Sequence, residues 1–487
     1  MAAGITIVGL GPGNPGQLTL EAWRALEDAQ EVHLRTRHHP TVATLPQTAA
    51  YHSFDDLYER YPSFSEVYEA IADSVLRLGE RSQGVVYAVP GHPLVGETSV
   101  LRILKLAPSR GLAVRIVAGV SFLEPALTAL SLDPFDGLQI ADATLLAQKH
   151  HPNLDPDVGA LVVQVYNRHL AGEVKMTLMN LYHEEHPIVV VQSAGTPQQQ
   201  VREIPLYALD RQDDLDHLTS VYLPPLAHPG SLASYQNIVA RLRAPKGCPW
   251  DRQQTHQTLR THLLEETYET LEALDADDMG ALKEELGDLL LQVFLHVQIA
   301  TEDGDFRLID SAQYAIEKLV RRHPHVFGEV SVADAEEVLR NWEQIKRQER
   351  ADAGQGGEIV SLLAGISKAL PALSQAMEMQ SRAARVGFDW PNRASVAAKV
   401  LEEVAEFAQA TEAAEREAEL GDLLFSLVNL ARWYEHDPES ALREASQRFA
   451  RRFAFLERRA AEGGTPLEGM TLEEMDVLWE QAKCEER

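Results

Sequence analysis

Acidic side chains recur in this sequence at a spacing that suits a divalent cation. Residues 265–269 read EETYE, and residues 285–288 read ELGD. Side chains three positions apart lie on one face of a helix, so two antiparallel helices would direct four carboxylates to one place. Close carboxylates repel one another unless a cation lies among them, and hard oxygen ligands favour Mg²⁺, with Mn²⁺ as a substitute. The predicted metal ligands, here named the first quartet, are Glu266, Glu269, Glu285 and Asp288.

The same pattern returns later in the chain. Residues 402–406 read EEVAE, and residues 419–422 again read ELGD before an apolar stretch. The flanking segments repeat as well, as KLVRR at 318–322 and RFARR at 448–452, and as WEQIK at 342–346 and WEQAK at 479–483. A single motif also fits an acidic helix face in solvent, but duplicated polar positions favour a duplicated fold with a shared role. The second quartet of predicted ligands is Glu403, Glu406, Glu419 and Asp422.

Residues beside the quartets suit the handling of water and phosphate. The first glutamate of each motif, Glu265 or Glu402, is a candidate to orient or deprotonate a water molecule. Basic side chains one helical turn apart would reach phosphate oxygens, although each pair also fits a basic helix end that faces solvent. These candidate bases are Lys318 and Arg322, with Arg448 and Arg452 at the corresponding places in the repeat.

The stretch after the first quartet predicts the surroundings of the acids. Residues 289–295 read LLLQVFL, and a helix that is apolar nearly all round should be buried. Uncompensated carboxylates at its start would cost on the order of several kcal/mol, which a cation would offset. A further helix is predicted over residues 364–386. Trp250 and Trp390, each beside a proline, are expected to pack in the core rather than to stack on a base.

Composition indicates a globular protein of two to four domains, because the chain has 487 residues with 45% hydrophobic and 24% charged. No apolar run reaches the roughly 18 residues of a membrane helix, and the N-terminus lacks the basic region of a signal peptide. The chain has only 2 cysteines, which disfavours a disulfide framework. We therefore expect a cytoplasmic protein without a membrane partner. A net charge of -29 argues against general nucleic-acid binding.

Strand-like and helix-like segments alternate through residues 1–225, which predicts an α/β domain. Glycine-rich turns follow three of its strands: GLGPG at 9–13, PGHP at 90–93 and GVS at 119–121. The first turn also matches the glycine spacing of a dinucleotide-binding loop. That interpretation is disfavoured because Pro12 and Pro15 stiffen the loop and no acidic residue follows the second strand.

Taken together, these three turns resemble the tetrapyrrole (corrin/porphyrin) methylase family over about residues 4–225. The resemblance implies a two-lobed α/β domain that holds S-adenosylmethionine in a cleft between its lobes. The residues that would line this cofactor are Gly9, Gly11, Gly13, Pro90, Gly91, His92, Val120 and Ser121. Asn14 and His92 stand where the family often has aspartate, which weakens the expectation of methyl transfer, and the methyl acceptor is not identifiable.

The remaining chain resembles the tandem MazG nucleoside triphosphate pyrophosphohydrolases. The matching motifs are CPWD at 248–251, LEETYE at 264–269, ELGDLL at 285–290 and VGFDWP at 386–391. A methylase-like domain ahead of two such units resembles the YabN-type bifunctional proteins. The resemblance implies Mg²⁺-dependent hydrolysis of nucleoside triphosphates to monophosphates and pyrophosphate. The predicted organisation is a methylase-like domain at 1–225, a linker at 226–245, an all-α unit at 246–350, a linker at 351–360 and a second all-α unit at 361–487.

Two other functions compete with this hypothesis. A regulatory protein would sense nucleotides through the α units without hydrolysing them, and its methylase-like domain would be vestigial. A di-iron bundle would carry Glu-x-x-His pairs, which both quartets lack. In either case the broad apolar faces of the predicted helices favour a homodimer.

Overall fold

The computed structural model describes residues 4–350 and 361–485, so the predicted linker at 351–360 lies outside the described residues. The chain divides into two compact units, Met1–Arg252 and Gln253–Arg487. We name them the N-terminal unit and the helical unit and describe each separately.

The first lobe of the N-terminal unit is built on a five-stranded parallel sheet of order β3-β2-β4-β1-β5. Its strands are β1 (Gly4–Gly9), β2 (Glu31–Leu34), β3 (Ala50–Ser53), β4 (Val85–Val89) and β5 (Ala113–Val117). Because the strands are parallel, their carboxyl ends meet at one edge of the sheet, where ligands bind in open α/β folds. All three glycine-rich turns lie at this edge.

The second lobe has a mixed sheet of order β6-β7-β10-β8-β9. Its strands are β6 (Leu138–Asp142), β7 (Gly159–Val163), β8 (Pro187–Gln192), β9 (Gln200–Pro205) and β10 (Thr219–Leu223). β6 pairs with β7 in parallel, whereas β10 runs antiparallel to both β7 and β8. The carboxyl ends of β7 and β8 therefore lie at the same edge, on either side of the start of β10.

Helices cover both sheets and continue to the end of the N-terminal unit. They are α1 (Leu20–Glu27), α2 (Asp55–Arg60), α3 (Phe64–Gly79), α4 (Thr98–Leu106), α5 (Leu123–Leu130), α6 (Ala143–Leu146), α7 (Arg168–Leu178), α8 (Leu232–Arg243) and α9 (Pro249–Gln253). The Thr19 hydroxyl accepts a hydrogen bond from the amide of Ala22, as expected of a cap for α1. α8 lies in the predicted linker but belongs to the N-terminal compact unit.

The described part of the helical unit consists of helices and their connections. Its helices are α10 (Arg260–Asp275), α11 (Met279–Asp303), α12 (Leu308–Arg322), α13 (Pro324–Phe327), α14 (Ala335–Arg350), α15 (Ala372–Ala384), α16 (Arg393–Gln409), α17 (Ala413–Trp433), α18 (Pro438–Glu462) and α19 (Leu472–Glu485). α10 packs on α11, and α16 packs on α17 in the same way. The two repeats touch where Arg443 of α18 pairs with Asp275 at the end of α10.

Two sequence predictions for the helical unit are wrong. The helix predicted over 364–386 begins only at Ala372, because Pro371 stands at its N-terminal cap and cannot continue a helix in the N-terminal direction. The apolar stretch after the first quartet is only partly buried: Phe294 and Leu295 are enclosed, whereas Leu290 and Val293 are 40% and 42% exposed. Within a single chain, α11 has too few neighbours to cover its whole circumference.

None of the described helices is both long and apolar enough to cross a bilayer.

Candidate functional site

The first quartet lies on the paired helices α10 and α11. One carboxylate oxygen from each of Glu266, Glu285 and Asp288 lies within 4.8 Å of the others. This is the arrangement expected from an i, i+3 pair on α11 that faces a glutamate on α10. Glu269 is not part of this tight group, but it is near enough for its charge to act on Glu266 and Glu285.

The electrostatics of the first quartet are those of crowded, uncompensated acids. The pKa of Glu266 is raised by partial burial and then by the charges of Asp288 and Glu269. The pKa of Glu285 is raised by loss of solvent and then by Glu269 and Asp288. Each shift disfavours the ionised form, so a divalent cation would stabilise the group in its charged state. Hard carboxylate oxygens in this number fit Mg²⁺ or Mn²⁺.

Gln292 makes a hydrogen bond to the first quartet, although the sequence alone did not identify it as a site residue. It lies one helical turn beyond Asp288 on α11, is buried, and its amide nitrogen donates to Glu266 Oε1 at 3.4 Å. Ser426 occupies the corresponding place in the second repeat. The sequence signal that could have identified Gln292 is a single amide side chain in the otherwise apolar run 289–295.

The second quartet also forms a tight group of three carboxylates, but two of them come from α16 and one from α17, the reverse of the first quartet. One carboxylate oxygen from each of Glu403, Glu406 and Glu419 lies within 4.8 Å of the others, and Glu403 is only 5% exposed. Partial desolvation, then the charges of Glu406, Glu403 and Asp422, raise the pKa of Glu419. Asp422 is therefore a close neighbour of the group although it lies outside the tight cluster.

Lys399 distinguishes the second quartet from the first, and the sequence analysis missed it. Its ammonium nitrogen lies 2.7 Å from Glu402 and 2.7 Å from Glu403. These two hydrogen bonds raise the pKa of Lys399, so it is charged. The equivalent position in the first repeat is His262, whose Nδ1 lies 3.4 Å from Glu265. A lysine three and four residues before two glutamates was the available signal.

The two glutamates that were predicted to orient or deprotonate water each contact a side chain on their own helix. Glu265 faces His262, and Glu402 faces Lys399; both glutamates are exposed. Neither belongs to the two tight carboxylate clusters that the described residues form. Their assignment to water activation stays a prediction.

The predicted phosphate-binding bases are held by partners in their own repeats. Arg322 donates to Glu349 at 2.7 Å, and Lys318 lies over the Tyr314 ring. In the second repeat the bases are Arg448, which pairs with Glu444 at 3.0 Å, and Arg452, which lies over the Trp479 ring. The phosphate contacts of these four side chains stay predictions.

Tryptophan and arginine form the same contact in both repeats. The guanidinium of Arg322 lies 5.9 Å from the Trp342 ring, and that of Arg452 lies 5.8 Å from the Trp479 ring. By contrast, Trp250 and Trp390 are 53% and 39% exposed, so the prediction that they pack in the core is wrong.

In the N-terminal unit, the three glycine turns meet by backbone contact. The amide of Gly91 donates to Gly11 O at 2.8 Å, and the amide of Gly11 donates to Gly91 O at 3.3 Å. A Cβ at Gly9 would lie 2.6 Å from both Gly119 N and Gly91 O, so no side chain fits there. Gly13, next along the first turn, has a φ of +126° that favours glycine. The three turns therefore pack so closely that a side chain at Gly9 would clash with the other two.

Several side chains at these turns make hydrogen bonds within the N-terminal unit. Asn14 donates from its amide to Gly195 O at 2.8 Å, which joins the first turn to the second lobe; an aspartate could not donate this bond. His92 accepts from the amide of Leu94 through Nδ1. Ser121 donates to Glu124 and accepts from Leu123. The departure at Asn14 is therefore explained by a contact between lobes. Pro90 and Val120 complete the predicted set beside these residues.

The second lobe contributes two strained positions that the sequence analysis missed. Gln164 and Ser193 have φ angles of +64° and +51° and directly follow β7 and β8. Non-glycine residues in this region store strain that often marks functional sites. Neither residue type signals a positive φ, so the sequence offered no clue.

A buried ion pair underlies the same edge of the first sheet. Arg35 follows β2 and lies 3.2 Å from Glu97, whose pKa is raised by burial. His39 is 8% exposed, and its Nδ1 has no hydrogen-bond partner among the described residues. Burial, then Arg35 and His217, lower the pKa of His39 to about 4. His39 is therefore neutral near pH 7.

Comparison with known proteins gave two family matches. Residues 4–210 match the model for Tetrapyrrole (Corrin/Porphyrin) Methylases. Residues 254–327 and 392–455 match the model for the MazG nucleotide pyrophosphohydrolase domain. The second match covers both carboxylate clusters.

Full-length and partial relatives agree with these matches. The protein YabN of Bacillus subtilis (strain 168) is 42% identical over 501 aligned positions, which span 100% of both chains. The nucleoside triphosphate pyrophosphohydrolase/pyrophosphatase MazG of Thermotoga maritima is 45% identical over 51% of this chain and 93% of its own length. The nucleoside triphosphate pyrophosphohydrolase of Escherichia coli (strain K12) is 46% identical over 51% of this chain and 95% of its own. A crystal structure of uroporphyrin-III-C-methyltransferase from Thermus thermophilus is 22% identical over 46% of this chain and 93% of that chain, with a TM-score of 0.37.

Proposed function

Because this chain belongs to the family that joins a tetrapyrrole methylase domain to tandem MazG nucleotide pyrophosphohydrolase domains, we propose that it hydrolyses nucleoside triphosphates with Mg²⁺ as cofactor. The products would be a nucleoside monophosphate and pyrophosphate. The observation that supports this most directly is the duplicated cluster of three close carboxylate oxygens. The two groups lie on corresponding helix pairs, α10 with α11 and α16 with α17.

The quartets would hold the metal, and their neighbours would handle water and phosphate. Glu266, Glu285 and Asp288 supply oxygens at close range, with Glu269 as the fourth ligand. When bound, Mg²⁺ supplies neutralisation of the triphosphate and activation of water for attack on the α-phosphorus. The chain's own part is to keep these oxygens in place, as Gln292 does for Glu266.

The second repeat has an additional positively charged side chain that suits phosphate binding. Lys399 shares its ammonium between Glu402 and Glu403. An ammonium beside a metal site is well placed to contact a phosphate oxygen once a nucleotide arrives. We assign Lys399 to phosphate binding, and Glu402 to orienting water after Lys399 has moved.

The alternative is a nucleotide sensor that binds triphosphates without turnover. Phosphorus NMR of the full chain with each of several NTPs and dNTPs plus Mg²⁺ separates the two. We expect monophosphate and pyrophosphate signals to grow as the triphosphate signals fall. Stable triphosphate signals with metal-dependent line broadening would instead support the sensor and contradict hydrolysis.

A second candidate function is S-adenosylmethionine-dependent methyl transfer by the N-terminal unit. It is favoured by the backbone contact between Gly11 and Gly91 and by the Asn14 bond that joins the lobes at the same edge. Methyl transfer from a sulfonium requires chiefly positioning. Calorimetry of the full chain with S-adenosylmethionine tests the site: we expect saturable heat that a Gly91→Val variant abolishes. Absence of heat at millimolar cofactor would mark the unit as a scaffold.

A further inference from the structure

The corresponding glutamates of the two quartets, Glu266 and Glu403, are held by different kinds of donor. In the first repeat the donor is a neutral amide, because Gln292 donates to Glu266 Oε1 at 3.4 Å. In the second repeat the donor is a cation, because the ammonium nitrogen of Lys399 lies 2.7 Å from Glu403 Oε1. A neutral donor leaves the negative charge of its partner available to a metal ion, whereas an ammonium compensates that charge.

The ion pair of Lys399 involves a central member of the second quartet. Glu403 is buried and is one of the three carboxylates whose oxygens lie within 4.8 Å of one another. The same ammonium lies 2.7 Å from Glu402, so two carboxylates fix its position. An ion pair between fully exposed side chains contributes little, but a buried carboxylate that loses its cation is left uncompensated. Lys399 is therefore the counter-ion of this quartet before any metal binds.

A metal ion that enters the second quartet must compete with this ammonium for Glu403. Two cations a few ångström apart repel each other, and the repulsion is screened less where water is partly excluded. The metal and Lys399 therefore cannot both stay close to Glu403 at low cost. The side chain of Lys399 is 31% exposed and has a flexible stem, so it can turn outward into solvent. Loss of its ion pair then opposes metal binding.

The sequence spacing that creates this ion pair is present in the first repeat as well. Lys399 stands three and four residues before the glutamate pair at 402–403. His262 stands at the same distances before the pair at 265–266, and its Nδ1 lies 3.4 Å from Glu265. A lysine is a permanent cation near pH 7, whereas a histidine is charged only when it is protonated. The first repeat therefore has the matching position without the permanent charge.

We propose that Lys399 competes with the metal ion for the second quartet, so that the two quartets fill at different concentrations of divalent ion. The first quartet fills first. The second fills only when the concentration is high enough to displace Lys399 from Glu403. This inference rests on the proposed function, because it takes both quartets to be metal sites, and it adds a dependence on metal supply that differs between the repeats.

Electron paramagnetic resonance of free Mn²⁺ measures metal binding by the full chain without nucleotide, so the test does not depend on turnover. Glu285→Gln/Asp288→Asn leaves only the second quartet intact, and Glu406→Gln/Glu419→Gln leaves only the first. Circular dichroism checks that both variants are folded. We expect the first quartet to bind Mn²⁺ at least tenfold more tightly than the second. Equal affinities, or tighter binding by the second quartet, would overturn this inference alone, whereas binding by neither quartet would overturn the proposed function as well.

Exchanges at the two matched positions assign the difference to Lys399. With only the second quartet intact, Lys399→Met should tighten Mn²⁺ binding at least tenfold. With only the first quartet intact, His262→Lys should weaken Mn²⁺ binding at least tenfold, because it supplies the ammonium that this repeat lacks. Lys105→Met removes the same charge from α4 of the N-terminal unit and should change neither affinity. Unchanged affinity in both exchanges, or an equal gain in the α4 variant, would contradict the role of Lys399.

Discussion

At the scale of single residues, the two quartets differ by the side chain that precedes them. Lys399 already places one positive charge between Glu402 and Glu403, whereas the corresponding residue in the first repeat is His262, which contacts Glu265. The second quartet therefore begins with part of its negative charge compensated. The two repeats should differ in how they use the metal and the nucleotide.

Replacing Lys399 by methionine keeps the apolar stem and removes the ammonium. If that ammonium contacts phosphate, a charge-assisted hydrogen bond is lost, which corresponds to about tenfold in affinity. We expect the KM for a nucleoside triphosphate to rise about tenfold while Mn²⁺ binding is not weakened. The matched control is His262→Met in the first repeat. Equal KM values for both variants and the wild type would refute the phosphate contact.

The crowded acids also predict how stability depends on pH. Desolvation and neighbouring carboxylates raise the pKa values of Glu266, Glu285 and Glu419 above 4.5. A group with a raised pKa binds its proton more tightly in the folded chain, so its contribution to stability falls as pH rises through and above 4.5. In EDTA, the Tm of the wild type should drop more between pH 5 and pH 7 than that of Glu266→Gln/Glu419→Gln. Parallel Tm curves, or no recovery with Mg²⁺, would contradict this.

Sequence spacing identified the candidate metal ligands, but not the side chains that contact them. The i, i+3 rule needs only a helix, so it located Glu285 and Asp288 before any packing was known. Lys399 and Gln292 act through side-chain contacts that depend on which helices meet. The strain at Gln164 and Ser193 depends on the second sheet, and nothing in those residue types announces it.

At the scale of elements, apolar runs predicted secondary structure more accurately than the residues that interrupt them. The strands that lead into the glycine-rich turns, β1, β4 and β5, were predicted from sequence, but β3, β6, β9 and β10 were not. Of these, β3, β6 and β9 are short or mostly half-exposed, so their burial pattern is weak. Pro371 is an interruption of this kind, because it makes α15 begin at Ala372 and not at residue 364.

The attachment of α8 to the second lobe depends on one carboxylate. Asp157 accepts from the amides of Gly230 and Ser231 at 2.8 and 3.0 Å, directly before the helix. Although desolvation acts to raise it, hydrogen bonds from Ser234, Gly230 and Ser231 lower the pKa of Asp157 to about 2.

Asp157→Asn should therefore destabilise the N-terminal unit by about 1 kcal/mol at pH 7. The contribution of a lowered pKa is present above the unfolded value of 3.8 and is lost as pH falls towards 2. Urea unfolding of wild type and variant should differ at pH 7 and converge below pH 3. A constant difference across this range would show that the charge is not responsible.

At the scale of the whole molecule, the helical unit has large apolar side chains that its own helices leave exposed. Leu290 and Val293 on α11 and Ile316 and Leu319 on α12 are all exposed. Large apolar patches usually mark an interface. We propose that a second copy of the chain covers them in a homodimer.

Light scattering after size exclusion should give twice the chain mass for the wild type. Ile316→Glu/Leu319→Glu should give the mass of one chain, because charge on an apolar interface is not compensated. Gln313→Glu on the same helix is the matched control and should remain dimeric. A wild-type mass of one chain would contradict the proposal.

The central claim is that the acidic quartets bind divalent ions which support triphosphate hydrolysis. Its most direct test is pyrophosphate release from a nucleoside triphosphate in Mg²⁺ by the wild type, by Glu266→Gln, by Glu403→Gln and by the double variant. Glu457→Gln, an exposed glutamate on α18 outside both quartets, is the control. We expect the double variant to lose at least a hundredfold in turnover while Glu457→Gln stays unchanged. Full turnover in a folded double variant would contradict the account.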